Sequence, residues 1–196
     1  VFLHFFTLDI LKDLNYNFLM KHNTYKVGVI FMLKATGSKK NIEQLPFYDC
    51  ISDIYENEKI QQLKDYTHHI CTTRLQHSLN VSYYNYIICN RLGFNAVSAA
   101  RAGLMHDMFY YDRKVSDIKS HHSEHPVIAA KNAKEIFDTD ILENDIIETH
   151  MWPVTLKLPR YKESYVIVIV DKYCAVLEFL APKYNKIKQT LQRKKS

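Results

Sequence analysis

The segment Asn95 to Asp112, NAVSAARAGLMHDMFYYD, constrains the fold more than any other part of the chain. Asn95 is a good helix N-cap, and the spacing predicts a helix through Met108. Ala99, Ala100, Ala102 and Gly103 are small, which permits close approach of neighbouring helices. The apolar run then sets His106 beside Asp107. An unpaired buried carboxylate is costly, so it needs a cation or strong donors nearby.

Most of the remaining chain also reads as helix. Four glycines and five prolines are too few for a turn-rich all-β fold. Glu58 to Gln76 fits one helix. Val81, Tyr84, Ile88 and Leu92 recur at helical spacing, and Gly93 supplies a C-terminal stop. Pro126 suits the first turn of a helix running to Phe137. Asp140 and Glu143 form a capping-box pair before ILENDIIETH. ESYVIVIVDKYCAVLEFL has a strand-like VIVIV core. Its length and the steps Ile167, Asp171, Ala175 favour a buried helix. Tyr25 to Lys34, YKVGVIFMLK, reads as a strand, followed by a loop ATGSKKN. The expected organisation is an appendage of unknown role over 1–45, a helical body over 46–182 and a basic tail over 183–196.

The chain has 196 residues, 47% of them hydrophobic, which suits one globular domain. No window approaches the ~18 apolar residues of a membrane span. The first twenty residues are apolar but carry Asp9, Lys12 and Asp13, and are expected to be neither signal peptide nor anchor. Cys50, Cys71, Cys89 and Cys174 are widely spaced and read as reduced thiols of a cytoplasmic protein. The net charge is +5. Lys183, Lys186, Lys188, Arg193, Lys194 and Lys195 supply it, and without them the body is close to neutral. Nucleic acid is therefore disfavoured as a partner.

Ten histidines are many for this length. His4 and His22 fall in the unassigned N-terminal part. His77, His106, His125 and His150 lie at the starts and ends of separate expected helices, and Asp171 lies inside another. Any one of these alone reads as a hydrogen-bonded core residue. Together they place metal-type ligands from five helices toward one region. Imidazole with carboxylate suits divalent iron, manganese, zinc, nickel or cobalt. Asp107 has two oxygens and could bridge two ions.

The order His77, His106-Asp107, Asp171 is similar to that of the HD superfamily of metal-dependent phosphohydrolases. The words KDYTHHICTTRLQHSLNVSYYNY, AARAGLMHDMFYYD, HPVIAAKNAKEIF, HMWP and YKESYVIVIVDKYCA resemble one branch, bacterial HD-domain proteins of poorly defined substrate. The resemblance covers roughly residues 48–181. It implies an all-α fold, with the site inside an HD-domain helical bundle. It implies that His77, His106, Asp107 and Asp171 hold a first metal. His125 and His150 match the two added histidines of dinuclear members, with Asp107 as the bridge. The implied cofactor is one or two divalent ions, with magnesium added to the candidates above. The implied reaction is hydrolysis of a phosphomonoester or nucleotide by a hydroxide that these metals activate.

Other residues are candidates for substrate contact or catalysis. Arg74 lies one turn before His77 and could hold a phosphate. His121 and His122 are expected in a loop before His125 and could reach substrate. Lys162 and Glu163 open the last long helix, near the expected pocket mouth, and Lys162 is a catalytic candidate. Asp112 could act as a base or orient a ligand. His68 and His69 read as structural loop residues, and Lys172 as pointing away from Asp171. Some HD hydrolases place an acid or a lysine shortly after the HD pair, where this chain has MFYY. Two other readings share the ligand order: a metal- or nucleotide-binding HD module without turnover, and an HD-fold di-iron oxygenase. Homo-oligomerisation is left open.

Overall fold

The computed structural model describes residues 42–68, 72–112 and 120–193, with side chains as far as Leu180 apart from Gln44. The strand expected at Tyr25 to Lys34, most of the 1–45 appendage, His69, Cys71 and the basic side chains of 183–196 lie outside the described residues.

The described fold is all-α, with one two-stranded ribbon. Among the described residues the helices are α1 (Ser52–Tyr55), α2 (Glu58–Gln61), α3 (Arg74–Arg91), α4 (Ala96–Met105), α5 (His121–Phe137), α6 (Ile141–Thr149) and α7 (Lys162–Arg193). Strands β1 (Thr67–His68) and β2 (Thr72–Thr73) pair antiparallel, Thr67 opposite Thr73. Helix α3 packs between α4 and α7, and α6 contacts α4, α5 and α7. Ile51, Ile54, Leu104, Met105, Ile146, Ile147 and Ile167 are fully buried at the centre. Ile42 and Leu45 pack against this core. Helix α7 continues through 182 to Arg193.

Several expected boundaries hold for identifiable reasons. At the end of α3, Phe94 N–H donates to Cys89 O at 2.8 Å, and Gly93 has φ +67°. This six-residue closure needs a left-handed residue, which glycine adopts without strain. Asn95 caps α4 by accepting from Ser98 N–H, and the Asp140–Glu143 capping box forms as expected. A Cβ on Gly103 would lie 2.9 Å from Ser82 Cα and from Asn85 Nδ2, so α3 and α4 touch backbone to backbone there.

Four expectations are corrected. Glu58 to Gln76 is not one helix. After Gln61 the chain tightens into a 3-10 turn at Gln62–Asp65, and Thr67, Thr72 and Thr73 then take extended backbone, where β-branched residues fit best. Thr73 restarts the helix by capping Gln76 N–H. Helix α4 ends at Met105, because Met108 N–H turns back to Met105 O and Phe109 N–H to Asp107 O. Helix α5 begins at His121, so His121 and His122 are helical and Pro126 lies inside. The proline deprives only His122 O of a partner, and His122 is exposed, where water can replace it. Lys172 does not point away from Asp171: its ammonium lies 3.9 Å from Asp171 Oδ2 and donates to His150 O at 3.1 Å.

Candidate metal centre

His106 and His150 occupy the same local position in two helices. Each follows the last residue of its helix, and each ring turns back onto the carbonyl three residues earlier. His106 Nδ1 donates to Gly103 O at 2.8 Å, and His150 Nδ1 donates to Ile147 O at 2.7 Å. His125, inside α5, donates from Nδ1 to His121 O at 2.7 Å. A carbonyl can only accept, so all three rings carry their proton on Nδ1. Their Nε2 lone pairs are thereby aimed inward. His106 Nε2 is buried and has no hydrogen-bond partner. His125 Nε2 and His150 Nε2 stand 2.9 Å apart. Burial holds both rings neutral, pushing His150 down to about 3 with further help from His106 and His125, and lowering His125 in the same direction.

Asp107 sits among these nitrogens. One oxygen, Oδ1, lies 3.5 Å from His125 Nε2, 3.8 Å from His106 Nε2 and 3.9 Å from His150 Nε2. The other, Oδ2, lies 3.8 Å from His68 Nδ1. The turn that ends α4 at Met105 places His106 and Asp107 at a helix corner.

On the other side, His77 and Asp171 join α3 to α7. His77 Nε2 meets Asp171 Oδ1 at 3.0 Å, and His106 Nε2 lies 3.8 Å from the same oxygen. His77 Nδ1 lies 3.0 Å from Glu178 Oε2. Burial alone would lower the His77 pKa. Hydrogen bonds to Asp171 and Glu178 outweigh it and push the ring up to about 10. The same contact with His77 overcomes burial at Asp171 and keeps that carboxylate ionised.

Three sets of side chains lie close enough to share an ion: His77, His106 and Asp107; Asp107, His125 and His150; and His68, His77 and Glu178. The chemistry of these donors fits a divalent cation. Inward imidazole lone pairs, one of them buried without a partner and two facing each other, alternate with ionised carboxylates.

The remaining candidates are placed as follows. Arg74 is buried beneath the segment after Asp107. Its guanidinium donates to Phe109 O and Tyr111 O and lies 3.6 Å from the centroid of the Phe109 ring. These contacts tie two of its nitrogens to backbone carbonyls, so Arg74 secures the MFYY segment. His121 stacks on His125 with centroids 4.5 Å apart, and its Nδ1 lies 3.1 Å from the Tyr111 hydroxyl. His122 and Asp112 are exposed. Lys162 lies over the Phe94 ring at 4.2 Å, and Glu163 accepts from Asn95 N–H at 2.9 Å. Both are at the α3–α4 corner, and Lys162 stands nine residues of helix before Asp171. At ~1.5 Å per residue that is about 13 Å along the axis, so Lys162 stands apart from the cluster.

Two residues enter the centre without a signal in the motif order. His68, on β1, stacks on His77 with centroids 4.0 Å apart. Glu178 is 2% exposed. It lies seven residues after Asp171, which places it on the same face of α7.

An HD domain family model matches residues 74–175. Comparison with curated proteins gives no match, and comparison with solved structures gives none. The matched span is more than half of the chain and contains His77, His106, Asp107, His125, His150 and Asp171. The chain belongs to the HD domain family.

Proposed function

We propose that this protein is a metal-dependent phosphohydrolase acting on a small phosphomonoester or nucleotide. The observation that carries the reading is the position of Asp107, which belongs to two ligand groups at once. His77, His106, Asp107 and Asp171 would hold one divalent ion. Asp107, His125 and His150 would hold a second. Bound there, such ions supply Lewis acidity, lowering the pKa of water and drawing charge from a phosphoryl oxygen.

The chain's own residues do the rest. The carbonyls of Gly103, His121 and Ile147 fix three rings in the ligating tautomer. Arg74 anchors the backbone just after Asp107. Met108, Phe109 and Ile167 are buried and form apolar structure around the site, which strengthens its electrostatic interactions. Phe109 is packed under Arg74, and Tyr110 donates to Lys59 O. Phe109 and Tyr110 are thus committed to structure, whereas the Tyr111 hydroxyl meets His121 Nδ1 at 3.1 Å, beside His125. The metal is drawn from iron, manganese, zinc, nickel, cobalt and magnesium. We place the protein in the cytoplasm, on the free thiols of Cys50, Cys89 and Cys174. No helix among the described residues is long and apolar enough to cross a membrane.

The test is hydrolysis of a panel of phosphomonoesters and nucleotides by protein reloaded with manganese, cobalt or nickel, beside Asp107→Ala. Release of phosphate by the wild type alone supports the reading. A metal-loaded wild type that hydrolyses nothing overturns it in favour of a binding module. Iron-dependent consumption of oxygen without hydrolysis overturns it in favour of an oxygenase.

A further inference from the structure

Glu178 lies beyond the span matched by the family model, yet it is among the most buried charged side chains described. Its oxygens stand 3.2 and 3.0 Å from His77 Nδ1, and Asn80 Nδ2 donates to Oε1 at 2.9 Å. His77 and Asn80 are one turn apart on α3, and Asp171 and Glu178 are two turns apart on α7. Where these helices meet, one pair of turns forms a row from Asn80 to Glu178 to His77 to Asp171.

We propose that Glu178, held in place by Asn80, is a positioning residue for His77, and that it makes the ion position built on His77 tighter than the one built on His125 and His150. The inference rests on the reading that these residues hold metal ions. Two observations carry it. The first is the difference between the groups behind the rings. His106, His125 and His150 each lean on a neutral backbone carbonyl, whereas His77 leans on a carboxylate. A carboxylate behind an imidazole fixes its orientation and makes the opposite nitrogen a stronger donor. The second is the distribution of charge. The His77 position has Asp107 and Asp171 as neighbours and Glu178 behind, whereas the His125–His150 position has Asp107. Three carboxylates outnumber the one ammonium nearby, that of Lys172 at 3.9 Å from Asp171, so Coulomb attraction favours a divalent cation at the former, in exchange for the proton on His77 Nε2.

The test is titration of the metal-free full-length protein with Co²⁺ against a competing chelator, with the visible Co²⁺ spectrum recorded in parallel. The wild type is expected to show a tight and a weak class of site. Glu178→Ala should weaken the tight class about 10- to 100-fold, shift its Co²⁺ spectrum and leave the weak class unchanged. Glu178→Gln keeps an acceptor for His77 Nδ1 without the charge, and should fall between the two. If Glu178→Ala does not fold, Glu178→Gln decides alone: selective weakening of the tight class supports the proposal. Three results would overturn it: one class of site in the wild type, an unchanged tight class in the variants, or equal weakening of both classes, which marks a packing role only. Phosphoester hydrolysis does not enter these readouts, so the proposed activity stands or falls separately.

Discussion

His125 and His150 face each other Nε2 to Nε2 at 2.9 Å, while the Nδ1 of each ring is held by a carbonyl. Two neutral imidazoles in this arrangement direct lone pairs at one another. A cation between them turns that repulsion into coordination. Divalent metal should therefore stabilise the fold. At a free concentration a hundred times Kd the gain is about 2.7 kcal/mol, or about 5 to 10 °C in Tm for a chain of this size. His150→Ala should reduce the shift. Scanning calorimetry with and without EDTA measures it, and an unchanged Tm in the wild type would count against coordination here.

Arg74 joins the start of α3 to the segment that follows Asp107. It reaches two carbonyls and stacks on Phe109 and Tyr66. Arg74→Ala should cost about 2 to 4 kcal/mol of stability, through lost charge-assisted bonds and buried carbonyls left without partners. Arg74→Lys should not restore it, since an ammonium lacks the planar fork and stacks poorly. Urea denaturation of the three proteins reads this directly. Full rescue by lysine would sink the clamp role.

Gly103 tests the contact between α3 and α4. Alanine is the better helix former by about 1 kcal/mol. Its Cβ would meet Ser82 Cα at 2.9 Å, and backbone cannot rotate away. Overpacking of this kind costs about 1 to 3 kcal/mol, so Gly103→Ala should destabilise the protein despite the gain in propensity. A more stable variant would show that the helices can separate freely.

Asp145 provides a pH-dependent test away from the ligands. It is fully buried and accepts from Arg160 N, Arg160 Nε and Ser164 Oγ at 3.0, 2.8 and 2.7 Å. Burial would raise its pKa, but the bonds from Arg160 and Ser164 outweigh that and lower it. An unfolded aspartate titrates near ~3.9. The folded group titrates below that, so its contribution is complete above ~4 and is lost as the pH falls through the folded value. Asp145→Asn should cost about 2 to 4 kcal/mol at neutral pH, with the gap to wild type narrowing below about pH 4. A gap that stays constant from pH 7 to 3 would show that the carboxylate charge is not what holds Arg160 and Ser164.

Much of this was legible in the sequence, and the exceptions have physical causes. His106, Asp107 and Asp171 could be suspected from residue type, because a buried polar group in an apolar helix needs a partner, whereas His77, His125 and His150 stood out through their order along the chain and the resemblance to HD-domain proteins. The caps at Asn95 and Asp140 and the stop at Gly93 could be read from local chemistry alone. The break between Gln61 and Arg74 was hidden, because the polar residues there tolerate helix until the threonines take extended backbone. Arg74 looked available to substrate, since no local rule shows that α3 delivers it under Phe109. Lys172 looked remote from Asp171 because helical geometry places adjacent Cβ atoms on different faces. A long flexible stem reaches back, which spacing rules do not capture. Glu178 could have been noticed seven residues after Asp171 on one helix face, and His68 only through the ribbon that folds it over His77.

The most direct test of the account is the metal content of Asp107→Ala beside wild type, by elemental analysis of both proteins after the same loading and washing, with circular dichroism to show that the variant is folded. Asp107 stands in both ligand groups, so a folded variant should lose both ions. A folded Asp107→Ala protein that retains the wild-type metal content would contradict the account.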